Sequence, residues 1–384
     1  MNPQAIILVG FLLTVAGLAH SAPFKQATPE SEGVSSDQLR AMSEWIRSEE
    51  LDVRSLIILR NGKLILEWYA GEVTPEMNHN VFSVTKSFVS TVAGIAITER
   101  RLSSLESAVG DALDLPDPLG QINLDQLLTM RSGLPQSRAN KPTGPERELF
   151  DRITAAQNRL GEIASLDLVT EPGSKFAYSN IDPQLVSAMI KSGYGSSILE
   201  VAEEKLFQPL SFEGARWFYA DETGLYPGGY GLRLRPLDMA KLGQLYLDGG
   251  KWDGKPILPA SWVLDSTVDQ TGNKYGYYWW TGIVGGKSFA AKGVRGQQIL
   301  VVPEKKLVFV VTADLPPDRV RSILGELNRN HLLKAIASDG SLPEDPAARA
   351  ALEDELSKAA IYLPSHRRGL PKARLPRMPL GRGK

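Results

Sequence analysis

The chain has 384 residues, 42% of them hydrophobic and 23% charged, with a formal net charge of -1. Those proportions suit a globular protein that buries a large core, as one domain or as two packed closely together. A charge so near zero gives no general pull on nucleic acid or on an anionic membrane, and the absence of cysteine excludes disulfides.

An apolar run ending at Ala19, followed by the small residues Ser21 and Ala22, predicts a secretory signal over residues 1–21, cut after Ser21 or Ala22. The body of the protein would then be exported, to a periplasm or to the outside. No Lys or Arg precedes the run, and the alternative is an uncleaved membrane anchor, for which the run is short.

The segment DQLRAMSEWIRSEE, with Ser35 or Ser36 as its cap, places Leu39, Met42, Trp45 and Ile46 on one side and predicts an amphipathic surface helix. VRSLIILR and KLILEWYAG follow as β-rich runs joined by Asn61-Gly62, a strong hairpin signal. The stretch NVFSVTKSFVSTV, residues 80–92, is apolar nearly all round and predicts a buried central helix with Asn80 as its N-cap.

A long middle region carries mostly helical patterns, and Ser132-Gly133-Leu134-Pro135 stops one of them. FAYSNID, residues 176–182, is an extended segment leading into another helix, so Tyr178 and Asn180 point to one side. Gly228 to Gly231 reads as a flexible turn, and Pro236 opens a helix closed by Gly249. YGYYWWTG, residues 275–282, reads as a half-buried edge strand rather than a substrate wall. SFAAKG, QQILVVPE and KLVFVVTAD are three further β-runs before a last helix.

Strands at both ends around a helical middle predict an α+β fold. Residues 27–79 and 286–338 would build one antiparallel sheet domain, and residues 80–285 a mainly helical insertion, with the site between them. Residues 339–384 turn to Pro, Ala and charge and are expected to be a disordered tail, basic at its end. No internal repeat is present.

Ser83 and Lys86 stand one helical turn apart, so the hydroxyl and the amine face the same way. Serine becomes a nucleophile when a base takes its proton, and lysine can be that base once burial or nearby positive charge has lowered its pKa. A helix N-terminus would also favour the negative charge that develops on an attacked carbonyl. Metal hydrolysis is disfavoured by the lack of paired His or carboxylate spacing, and a Ser-His-Asp hydrolase by the lack of a Gly-x-Ser-x-Gly elbow and by the presence of only His20, His79, His331 and His366. His79, near Ser83 in sequence, reads as a loop residue.

With FSVTKSF, LLTMRSGLP, EPGSKFAYSN, LRPLDMAKLGQLYLDGGKWDGKPILP and AKGVRGQ in that order, residues 30–335 resemble the penicillin-recognising serine hydrolases. The resemblance is to the class C β-lactamase-like group, which also holds D-aminopeptidases, carboxylesterases and 6-aminohexanoate-dimer hydrolases. It implies a β-lactamase/transpeptidase-like fold and an acyl-enzyme mechanism with no cofactor and no metal. Ser83 would be the nucleophile, Lys86 its proton partner, and Tyr178 the general base and later acid, held phenolate-prone by nearby positive charge. Asn180 would bond Lys86 or substrate.

The third motif falls on Ala291-Lys292-Gly293, where the family has Lys or His, then Thr, then Gly. Lys292, Gly293 and Val294 would be the supporting residues, with Val294 N–H and Ser83 N–H as the oxyanion hole. Lys292 or Arg295 could replace the missing cation, although strand alternation turns Lys292 away. Loss of the cation favours a small ester, amide or short peptide substrate. The alternatives are β-lactamase or D-Ala-D-Ala carboxypeptidase activity, and a non-catalytic peptide or cell-wall binder on the same fold.

Overall fold

The computed structural model describes residues 24–367, so the expected signal segment and the last part of the basic tail lie outside the described residues. Its strands are β1 (Val53–Arg60), β2 (Lys63–Tyr69), β3 (His79–Asn80), β4 (Arg216–Trp217), β5 (Leu232–Leu234), β6 (Lys251–Trp252), β7 (Lys255–Pro256), β8 (Trp280–Thr281), β9 (Phe289–Gly293), β10 (Gln297–Val302) and β11 (Leu307–Ala313). Six of them form one antiparallel sheet in the order β2-β1-β11-β10-β9-β8, built from both ends of the chain as expected. The β1–β2 hairpin turns at Asn61 and Gly62, both at positive φ.

The sheet is buried on both faces, and the period of two decides which side chain goes where. Ile57, Leu59, Ala291, Ile299, Val301, Val308 and Val310 join the core shared with the helical region. Leu56, Ile58, Ala290, Leu300, Val302, Phe309 and Val311 join a second core under the helix Ser36–Ser48 and the helical run after Val320. The helix Pro236–Leu247 packs on β1, β10 and β11 from the first side. Its Gly243 is needed there, because a Cβ would stand 2.5 Å from Val308.

The central helix, Thr85–Thr98, is buried on nearly every side. Phe88, Val89 and Val92 have no exposed surface, and full burial of such side chains stabilises by about 1.5–3 kcal/mol each. Two of its polar residues are tied to neighbouring segments: Ser87 Oγ donates to Tyr278 O at 2.7 Å, and Thr91 Oγ1 lies 3.0 Å from the Tyr246 hydroxyl. Asn80 does not cap this helix. Its side chain accepts at 3.1 Å from the backbone N of Phe82, the first residue of a 3-10 turn, Phe82–Val84, that carries Ser83 just ahead of the helix.

The tail expectation is corrected between Pro346 and Ala359, which form a helix against the first helix. Glu355 is buried there and takes both Arg47 Nε and Nη2 at 2.7 Å, with Ser43 Oγ at 2.8 Å. The segment is Ala-rich with few large apolar residues, so it reads as a tail until its ion partner, distant in sequence, is placed beside it. The aromatic run 275–282 supplies the edge strand β8, so the sheet extends into the region assigned to the helical insertion.

Candidate active site

Three parts of the chain converge on Lys86. The first is its own helix end, where the 3-10 turn brings Ser83 Oγ within 3.1 Å of Lys86 Nζ. The second is the extended segment before the helix Ile181–Tyr194, from which Asn180 Oδ1 accepts from Nζ at 2.7 Å. The third is the Gly228–Gly229 turn, whose Gly229 carbonyl accepts at 2.9 Å. Both glycines are required by close approach: a Cβ on Gly229 would stand 2.6 Å from Asn180 Oδ1, and one on Gly228 would stand 1.8 Å from Pro183 O.

Asn180 is itself fixed. Its amide and its backbone N–H both donate to Ser137 O, at 2.9 and 3.0 Å. Tyr178, two residues earlier, reaches the same place, with Lys86 Nζ lying 5.0 Å from its ring centroid and its phenol close enough to Ser83 to feel it electrostatically. Trp280 stacks on the Tyr178 ring at 5.7 Å, and Tyr275 meets it edge-on at 6.1 Å. The aromatic segment is thus an edge strand and one wall of the site together.

Burial pushes the Lys86 amine down to about 7, with Asp182 opposing the shift. Burial pushes the Tyr178 phenol the other way, up to about 12, against smaller effects of the Ser83 hydroxyl and the Arg138 charge. The expectation of a phenolate-prone Tyr178 is therefore corrected. Near neutral pH the phenol keeps its proton and the amine is the group that can lose one.

A neutral amine has two N–H donors and one lone pair. Asn180 Oδ1 and Gly229 O can only accept, so they take the two protons and leave the lone pair for the Ser83 hydroxyl. That arrangement can remove a proton from Ser83 and hold it. Among the described residues no cluster of His, Cys, Asp and Glu could hold a metal ion.

The β-lactamase family model matches residues 51–332 of the chain. The chain belongs to that family. A 6-aminohexanoate-dimer hydrolase of Paenarthrobacter ureafaciens is similar, 24% identical with 83% of this chain and 86% of the relative covered. Two solved structures share the fold. One is EstCE1, a hydrolase with promiscuous acyltransferase activity (TM-score 0.64, 18% identity, 79% of this chain and 99% of that one). The other is a class C β-lactamase from Rhodobacter sphaeroides (TM-score 0.59, 20% identity, 78% and 100%). These relatives are hydrolases of the β-lactamase fold.

The family's third motif is divided by the pleat. Ala291 and Gly293 share the face toward the central helix, while Lys292 pairs with Gln298 and lies toward Arg321 and Arg329, whose charges add to burial in pulling its amine down to about 8. Lys292 as a supporting residue is thus corrected, since it faces the sheet side away from Ser83. Arg295, at positive φ, turns to Asp314, so it does not replace the missing cation either. β9 does run beside the Ser83 turn, close enough that a Cβ on Gly293 would stand 2.4 Å from Val81 O, and Val294 follows at once. His79 lies in β3, paired with Leu234, rather than in a loop.

Two residues of this neighbourhood were not singled out in the sequence. The Gly229 carbonyl was hidden in a pair of glycines read only as a turn, although paired glycines also signal close backbone approach. Asp182 stood inside the quoted segment 176–182 and was given no role.

Proposed function

We propose that the protein is a serine hydrolase that cleaves an ester or amide bond through an acyl-enzyme on Ser83. The observation that carries this reading is the contact of Lys86 Nζ with Ser83 Oγ, Asn180 Oδ1 and Gly229 O; once the amine is neutral, the two pure acceptors take its protons and its lone pair is left for the Ser83 hydroxyl. As Ser83 Oγ bonds to the substrate carbonyl carbon, its proton passes to Lys86 Nζ and the carbonyl π pair moves onto oxygen. The backbone N–H groups of Ser83 and Val294 receive that oxyanion, a contribution of about a hundred- to thousand-fold in rate.

Tyr178 keeps its proton until the leaving group needs one, donates it as the bond to the leaving oxygen or nitrogen breaks, and is resupplied by the Lys86 ammonium. Water then enters and the same transfers run in reverse. Ala291 has no side chain to grip a carboxylate, which favours small esters, amides or short peptides over β-lactams and D-Ala-D-Ala termini. The similarity to a 6-aminohexanoate-dimer hydrolase supports including linear amides.

The test is fluorophosphonate labelling together with turnover of p-nitrophenyl acetate and butyrate, for the wild type beside Ser83→Ala. The wild type is expected to label and turn over, and the variant to do neither. Labelling with no release from esters, amides or nitrocefin would instead favour a binding protein on the same fold. An unlabelled wild type would remove Ser83 as nucleophile.

A further inference from the structure

Within electrostatic reach of Lys86, although no ion pair joins the two, lies a carboxylate that the proposed reaction does not yet use. Asp182 stands in the first turn of the helix Ile181–Tyr194, two residues after the Asn180 that binds Lys86, and is 1% exposed. One of its oxygens accepts from Ser132 Oγ at 2.9 Å. The other is buried with no hydrogen-bond partner, and so is the hydroxyl of Tyr278. Tyr278 is held at positive φ, an uncommon backbone for a buried aromatic residue.

A half-satisfied carboxylate in such a place is expensive: burial pushes Asp182 up to about 7, and the Ser132 hydrogen bonds and the Lys86 charge pull the other way, so its ionised form depends on a charged Lys86. The titratable groups around it are Lys86 from the central helix, Tyr178 from the preceding segment, and Tyr275 and Tyr278 from the aromatic segment. Both Tyr275 and Tyr278 are raised well above the usual range, by burial first and with Asp182 adding to it. Those three phenols therefore stay neutral, and Lys86 is the one group of this set that can carry positive charge.

We propose that Asp182 is a positioning residue for Lys86, the buried counter-ion of the ammonium that forms when Lys86 takes the Ser83 proton. Asp182 exchanges no proton with substrate. It remains in place while the proton moves from Ser83 Oγ to Lys86 Nζ, on to the leaving group through Tyr178, and back from water. Ser132 orients it through the hydrogen bond to one oxygen, which gives the Ser132-Gly133 segment a role at the site as well as at a helix end.

The inference rests on the hydrolase reading, and the test separates the two. The rate of fluorophosphonate labelling is followed from pH 5 to 10 for the wild type, Asp182→Asn and Ser132→Ala. A wild type that does not label at any pH would overturn the hydrolase reading itself. If it labels, the acid limb of the Asp182→Asn profile should fall by about one pH unit or more, a tenfold loss of proton affinity at Lys86. Its plateau rate should drop about tenfold or more, because the ammonium loses its counter-ion. A merely structural Asp182 would lower the plateau and leave the limb in place.

Ser132→Ala should move the limb in the same direction by less, and it carries the test alone if Asp182→Asn does not fold. A limb that stays at the wild-type position, or moves up, overturns the proposal.

Discussion

Gly293→Ala is the substitution that most directly probes how β9 serves the reaction. The residue has φ -120° and ψ 157°, which alanine adopts without strain, so any effect comes from space rather than from the backbone. The added Cβ would stand 2.4 Å from Val81 O and 3.1 Å from Gln297 Cβ. Ordinary contact begins near 3.4 Å, so β9 and the turn that carries Ser83 must part by about 1 Å (3.4 minus 2.4). A misplacement of about 1 Å at reacting groups costs on the order of a hundredfold in rate, and overpacking adds about 1–3 kcal/mol of lost stability. Hydrolysis of p-nitrophenyl butyrate, measured well below the melting temperature of the variant, should show kcat down by about a hundredfold with KM changed little. The neighbouring Lys292→Met, on the opposite face of the strand, should stay within about threefold of the wild type, as a change distant from the reacting groups does. A Gly293→Ala enzyme with kcat within fivefold of the wild type would refute the placement of the oxyanion donors beside Ser83.

Because burial lowers Lys86 to about 7 and the base must be neutral, labelling and kcat/KM should rise with pH through about 7 and flatten above it. A profile that instead rises only near pH 10 would return the base role to Tyr178. Tyr178→Phe should cost an anilide substrate about a hundredfold or more and p-nitrophenyl acetate far less, because p-nitrophenolate leaves without a proton. Equal losses on the two substrates would remove Tyr178 as the acid for the leaving group. Arg47→Ala leaves buried Glu355 with Ser43 alone and should cost about 3 kcal/mol in urea unfolding. A loss under about 1 kcal/mol would mean that the helix Pro346–Ala359 adds little to the fold.

The sheet was legible from the sequence because its strands are short apolar runs between turn residues, and a strand buried on both faces has no other reading at that length. Ser83 and Lys86 were legible for a simpler reason. Three residues make about one turn whether the local helix is 3-10 or α, so the pair met even though Ser83 lies ahead of the helix rather than inside it. What stayed hidden depends on partners far apart in the chain. The helix Pro346–Ala359 is docked by an ion pair spanning 308 positions, and hydrophobic periodicity carries no trace of it. The direction of the Tyr178 shift was hidden likewise, because it depends on how completely Trp280, Tyr275 and the core enclose the phenol.

The third motif unites these lessons, since its residues were located correctly but their roles follow from the pleat. With Ala291 and Gly293 on the site face, the motif keeps what the backbone can supply, a close approach to the Ser83 turn and a following N–H. It loses what a side chain would supply, a cation for a substrate carboxylate. Lys292 cannot restore that cation, because a slip of one residue would turn the whole of β9 over and bury lysine in place of Ala291. Arg138, whose charge is felt at Tyr178, is itself paired with Glu146 and so is no free replacement for that cation.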